Sequence, residues 1–272
     1  MAARGSAPPI ALDSADPDAV DGRQIRAAAF QRVRLEYTSG VLERLGRAPS
    51  GRALVVGSGR GLLAHGLARL GFTVTAVDPS GPATALAREA AAQAGLAVEH
   101  RTGPAERLDV PEAAYDLVYL ADTLEITADP DRVMERAARA LAPDGVLVYD
   151  TVNRTPVSRL VYLVAFQRLP LTRIMPAGRY AARRLRTPAE VAALLARHGL
   201  TDGGTCDFRP RDLRSLVAGT LARRRGRIDD DALAEAVGCE LAPGSAPLVT
   251  YSRPRAQGAT LRQPAPEAYA GT

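Results

Sequence analysis

The residues best placed to do chemistry lie in one stretch, Ala53 to Asp78, which reads ALVVGSGRGLLAHGLARLGFTVTAVD. Gly57, Gly59 and Gly61 stand at alternate positions, and Asp78 closes the stretch. Glycines so spaced let the backbone turn tightly and let a ligand approach its N–H groups at a helix N-terminus. An acid at the tip of the neighbouring strand can accept two hydrogen bonds from a ribose diol. A nucleoside-bearing ligand fits both features. The elements that must position them are legible as well. Ala53 to Val56 is a short apolar run suited to a strand buried on both faces. Leu62, Leu63, Leu67 and Leu70 recur at helical spacing, with Gly71 placed to stop the helix. Phe72 to Val77 forms the next strand, so the unit is β-loop-α-β.

Glycine spacing separates two ligand classes. Dinucleotide folds carry G-x-G-x-x-G. Here the pattern is G-x-G-x-G, which resembles motif I of class I S-adenosylmethionine (SAM) methyltransferases. That resemblance implies an α/β, Rossmann-like fold with a mostly parallel seven-stranded sheet and helices on both faces. It implies that Gly57, Ser58, Gly59, Gly61, Asp78 and Pro79 bind SAM, and that Ala121 at a later strand end borders the same crevice.

Composition sets the frame. A chain of 272 residues with 46% apolar side chains can bury one substantial core. All 35 basic residues are arginine, and the net charge of +5 is mild. No run of 18 uncharged apolar residues and no signal-peptide pattern occurs, so a cytoplasmic protein is expected. Two distant cysteines, Cys206 and Cys239, and three scattered histidines give no zinc spacing and no disulfide framework. An aromatic content of 4% with no lysine argues against a nucleic-acid partner.

Along the chain, residues 1–22 read as a disordered arm. An amphipathic helix is expected from Arg23 to Gly46. Ser80 suits an N-cap for a helix running to Ala94, and Leu96 to His100 suits a third strand. Tyr115 to Ala121 reads as a fourth strand. Asp129-Pro130 opens a helix, and Val146 to Thr151 is a fifth strand. Arg34-Leu35-Glu36-Tyr37, then Asp150 to Arg154, an apolar segment to Pro176, and Thr187-Pro188-Ala189-Glu190 resemble, in order, the ubiquinone-biosynthesis O-methyltransferase family. The resemblance implies a methyltransferase domain over residues 23–255, with lid or insert segments at 154–186 and 209–245 and a disordered tail at 256–272. It implies that Arg34 contacts SAM, although solvation of a helix face is an equal reading. Ala105 and Glu106, in the loop after the third strand, would border the adenine. Thr187 and Glu190 suit a capping box and a structural role.

Three departures bear on mechanism. Val55 stands where the family carries an aspartate, which should weaken SAM binding. The family's tryptophans before the first helix are missing. In the segment Asp122-Thr123-Leu124-Glu125-Ile126, Asp122 and Glu125 match two family metal ligands, but Ile126 replaces the histidine. Mg²⁺ held by Asp122 and Glu125 remains one reading, and a Glu125–arginine pair is another. The expected function is a SAM-dependent O-methyltransferase acting on a hydroxyl of a hydrophobic aromatic or quinol-like small molecule. Asp122 or Glu125 would take the proton, and Asn153 would hydrogen-bond the acceptor. A SAM-binding fold that no longer methylates, or an N- or C-methyltransferase, are the alternatives. Residues 156–175 suit an interfacial helix that contacts a membrane peripherally, or else a lid or a homodimer contact.

Overall fold

The computed structural model describes residues 7–200, 206–242 and 250–252, the last group as strand backbone only. The expected tail at 256–272, and residues 1–6 of the expected arm, lie outside the described residues.

The β-loop-α-β unit forms as the pattern predicts. Strand β1 (Arg52–Val56) leads through the glycine turn into α2 (Leu62–Leu70), and β2 (Thr73–Asp78) pairs with β1 in parallel. Gly71 ends α2 at φ 115°, where any side chain would be strained. Helix α1 (Gly22–Arg44) precedes the unit. After it come α3 (Gly81–Gln93), β3 (Val98–Thr102), β4 (Tyr115–Leu120), α4 (Pro130–Ala140) and β5 (Leu141–Val152). Ser80 caps α3 and Asp129 caps α4, as their positions before the apolar repeats required. Beyond β5 lie a single turn, α5 (Pro156–Ser158), then α6 (Pro188–Arg197), β6 (Cys206–Pro210), α7 (Leu213–Arg224), α8 (Asp230–Val237), β7 (Cys239–Ala242) and β8 (Thr250–Ser252).

The sheet has eight described strands in the order β3-β2-β1-β4-β5-β8-β6-β7, not the seven expected. Its five-strand centre is parallel, and β8, β6 and β7 join antiparallel. The additional strand, β7, is four residues long and follows Gly238, too short for alternation to announce it. Side chains alternate between two apolar layers, as period-two strands dictate. Val55, Val74, Leu117 and Val148 face α1 and α2, while Leu54, Val118, Leu147 and Tyr149 face α4 and α6.

Two expectations fail. Residues 7–21 are not an arm: Val20 is fully buried, Ile10 and Val20 bridge, and Asp21 caps α1. Arginines do the fastening. Arg223 Nη2 donates to the Ala19 carbonyl at 2.6 Å and its Nε to Asp230 at 2.6 Å, while Arg224 reaches the Pro8 carbonyl at 2.7 Å. Composition hid this because the segment is held by polar groups from distant helices, not by its own apolar repeat. The segment 156–175 is not one helix either. After α5 the chain takes a wider π-helical turn over Arg159–Ala165 and then irregular turns. Tyr162 turns inward, while Leu160 and Leu171 remain more than half exposed.

Because Arg223 is buried and serves both Asp230 and the 7–21 segment, Arg223→Met should lower the unfolding free energy by about 2–4 kcal/mol. Chemical denaturation checks this; an unchanged midpoint would show that the segment is not fastened there.

Candidate active site

The glycine turn is a close backbone approach. Gly57, Gly59 and Gly61 all have positive φ, between 56° and 83°. A Cβ on Gly57 would lie 2.3 Å from the Ala121 carbonyl oxygen and 2.5 Å from Thr123 Oγ1, so the loop packs directly on the end of β4. Gly61 plays a different part. A Cβ there would meet the His65 ring at 2.7 Å, and His65 Nε2 lies 3.1 Å from His100 Nε2. Gly61 therefore makes room for a buried histidine pair and lines neither half of the cleft described below.

Asp78 stands where the sequence placed it, at the tip of β2. It accepts hydrogen bonds from Gly59 N at 2.8 Å and Ser80 N at 2.9 Å, so it also fixes the loop. Its carboxylate is covered by the guanidinium of Arg23, which donates to both oxygens and also pairs with Asp13 at 3.0 Å.

A cleft runs over the strand ends in two halves. The smaller half, about 380 Å³, is bordered by Arg34, Gly57, Ser58, Gly59, Ala121 and Asp122. The larger, about 870 Å³, is bordered by Pro79, Ala105, Glu106, Asp122, Ile126 and Arg184 among others. Ala105 and Glu106 thus face the cleft, with Glu106 fixed by the Thr127 hydroxyl. The two halves share Arg23, Gly57 and Asp122, whereas Asp78 borders neither, because the Arg23 guanidinium covers it. Arg34 is not a solvated helix residue. It is buried, and it borders the smaller half.

Between α1 and the ends of β4 and β5 lies a buried ionic cluster. Arg34 grips Asp150 with two hydrogen bonds of 2.9 Å and reaches Asp122 at 2.6 Å. Arg26 Nε donates to the other Asp122 oxygen at 2.6 Å, and its Nη1 to the Tyr162 hydroxyl. Asp150 also accepts from Tyr119 at 2.9 Å. Asp122 sits at φ 46°, a left-handed conformation that turns its carboxylate toward α1. Behind it, Glu125 is fully buried and accepts from Thr151 at 3.0 Å. Arg26 Nη2 is its nearest cation, 3.8 Å away.

Three carboxylates share two guanidiniums, and the titration follows. Burial works against Asp122, yet Arg26 and Arg34 hold its carboxyl well below the usual range. Glu125 has no hydrogen-bonded guanidinium. Burial first, and the Asp122 charge second, push it up to about 7.

This arrangement does not fit the expected metal site. Both Asp122 oxygens are occupied by guanidiniums, and a dication beside them would face two fixed positive charges. Among the described residues no group of three metal-ligating side chains occurs. Asn153 is buried and bridged to Arg186, and neither it nor Glu125 borders either half of the cleft. Sequence reading missed Arg23, Arg26, Asp150 and Tyr162. The three arginines at 23, 26 and 34 share one face of α1, a periodicity that could have revealed them.

Residues 54–149 match the family described as a methyltransferase domain. The ubiquinone biosynthesis O-methyltransferase of Xanthomonas axonopodis pv. citri is 36% identical over 181 residues, 66% of this chain and 73% of that one. Its namesake from Bordetella avium is 31% identical over 177 residues, 65% of this chain and 71% of its own. Among solved structures, magnesium protoporphyrin IX methyltransferase from Synechocystis, with bound S-adenosylhomocysteine (SAH), superimposes with a TM-score of 0.56 at 16% identity, covering 86% of each chain. The YcgJ protein of Bacillus subtilis gives the same TM-score and identity over 82% of this chain and 99% of its own. At such identity the structures speak for the fold, whereas the sequence relatives speak for the family. The chain is a SAM-dependent methyltransferase and belongs to the family of the ubiquinone biosynthesis O-methyltransferases.

Proposed function

We propose that this enzyme transfers the methyl group of SAM to a hydroxyl of a hydrophobic aromatic small molecule, with Glu125 as the base. The observation that carries the reading is the buried Glu125 carboxyl, poised near neutrality behind Asp122 at the end of β4. Bound SAM supplies a sulfonium methyl group, an electrophile that needs no metal to react. An O–CH₃ bond forms as the S–CH₃ bond breaks, and SAH leaves. A phenol of pKa about 10 must lose its proton as it attacks, and a carboxylate poised near pH 7 is suited to receive it. Asp122, held ionised by two arginines, is too weak a base; it fixes Arg26 and Arg34 instead. Asp78 receives the ribose hydroxyls once Arg23 leaves it for Asp13.

A second proposal concerns partners. The segment after β5 exposes Val157, Leu160, Leu169 and Leu171 beside the exposed Arg159, Arg168 and Arg173. Residues 154–255 hold 18 arginines against 9 acids, a net +9. This face suits peripheral contact with an anionic lipid surface, each arginine contributing about 1 kcal/mol. Among the described residues no helix is long and apolar enough to cross a membrane.

Three measurements test these readings. Asp78→Ala should weaken SAH binding by about 1–3 kcal/mol in calorimetry. Arg23→Ala should tighten it, because the ribose no longer competes with a guanidinium; weaker binding by that variant would give Arg23 a direct part in holding the cofactor. With a phenolic acceptor, kcat/KM should fall as pH drops below about 7, where Glu125 takes up its proton. Glu125→Gln should abolish that limb and slow turnover by about 10²–10⁴; a retained limb would assign the base elsewhere. Vesicles rich in anionic lipid should pellet the protein, and Leu160→Asp with Leu171→Asp should release it. Equal pelleting with neutral vesicles, or none with either, would remove the membrane proposal.

A further inference from the structure

The smaller half of the cleft is bordered by polar side chains of unequal commitment. Among its described lining residues are three guanidiniums, Arg23, Arg34 and Arg60, against two carboxylates, Asp13 and Asp122, so one positive charge is in excess. The glycine loop has few N–H groups left for a ligand. Gly57 N and Ser58 N donate to the Val77 carbonyl, Gly59 N to Asp78, and Gly61 N to the Ser58 carbonyl. Val55 is fully buried among apolar residues and supplies no polar group. Arg23 is committed to Asp13 and Asp78, and Arg34 to Asp122 and Asp150. Arg60, between the second and third glycines, is different. Its Nη2 donates to the Ser14 carbonyl and to Asp21, both at 2.7 Å, while its buried Nε has no hydrogen-bond partner among the described residues. Gln24, in the first turn of α1, borders the same half, and its buried Oε1 is unpartnered in the same way. A buried donor and a buried acceptor left unmade are costly, and a ligand group of the opposite kind relieves each.

We propose that Arg60 and Gln24 hold the amino-acid end of the cofactor, Arg60 Nε donating to its carboxylate and Gln24 Oε1 accepting from its ammonium. A zwitterionic α-amino acid presents an acceptor and a donor on one carbon, the complement of the two unpartnered atoms. The proposal rests on the reading of this cleft as the SAM site and adds the residues that hold the end of the molecule remote from the adenine. Hydrogen bonds to an ionised group are stronger than neutral ones, and here both partners of the ligand are ionised. The two bonds at Arg60 Nη2 fix its guanidinium before the ligand arrives, which lowers the entropic cost of binding. The anchors come from the glycine loop and from α1, so the amino-acid end also ties these two elements together. The larger half, with Ala105 and Glu106 on its border, is left for the adenine.

The test compares SAH with 5′-methylthioadenosine, which shares the adenine, ribose and thioether but lacks the amino-acid end. Each is titrated into the full chain by calorimetry. Arg60→Met and Gln24→Met should each weaken SAH binding at least about tenfold, through loss of one charge-assisted hydrogen bond. Neither should change the affinity for 5′-methylthioadenosine, which also reports that the variant is folded. Decarboxylated SAH, which keeps the ammonium, separates the two roles: Gln24→Met should weaken its binding and Arg60→Met should not, and the opposite pattern would overturn that assignment. Equal losses for SAH and 5′-methylthioadenosine would make both residues supports of the loop and overturn the proposal, as would an SAH affinity that neither substitution moves. An unsubstituted chain that binds neither ligand would instead overturn the reading of the cleft as the cofactor site.

Discussion

The contact between Arg34 and the Asp122–Asp150 pair holds the two halves of the site together. Helix α1 enters the sequence before the first strand, yet its arginines reach the carboxyl ends of β4 and β5. Burying these charges is costly, and the cost is recovered only because every Asp122 and Asp150 carboxylate oxygen meets a donor. Removing one partner would leave an uncompensated charge in a dry place. The cluster thus fixes where α1 lies, and with it the position of Arg23 over Asp78 and of Arg26 between Asp122 and Tyr162.

The same arrangement explains how this chain does without the expected metal ligands. Ile126 alone would have left two acids for a cation. Instead the charge is internal: Asp122 is neutralised by side chains from α1, and the excess negative charge of the cluster is relieved by a proton on Glu125 below about pH 7. A carboxyl that would be a ligand in an open site titrates near neutrality in a buried one. The difference is desolvation, which disfavours the ionised form, and the lack of a hydrogen-bonded guanidinium.

Arginine serves structure as much as chemistry here. Arg223 and Arg224 bind backbone carbonyls of residues that composition alone marks as an arm, and Arg184 and Arg186 bind the carbonyls of Ile126 and Leu124 at the cleft wall. A planar fork with five donors can close several backbone acceptors at once, which a lysine could not.

The sequence by itself determined the β-loop-α-β unit, the cofactor class and most element boundaries. Those features are local: glycine φ values, apolar periodicity, capping residues such as Asp129 and Thr187, and an acid at a strand tip all act within a few residues of one another. Tertiary structure alone decided the rest. Nothing near Asp122 in sequence says that residues 26 and 34 will neutralise it, and nothing near Ala19 says that Arg223 will bind its carbonyl. The apolar space lined by Ile25, Phe30, Val161, Phe166, Leu233 and Val237 likewise has no sequence signature, because these residues come from α1, the segment after β5 and the C-terminal helices. Charge pairing and enclosure depend on which distant surfaces meet, and that is settled only when the sheet order brings them together.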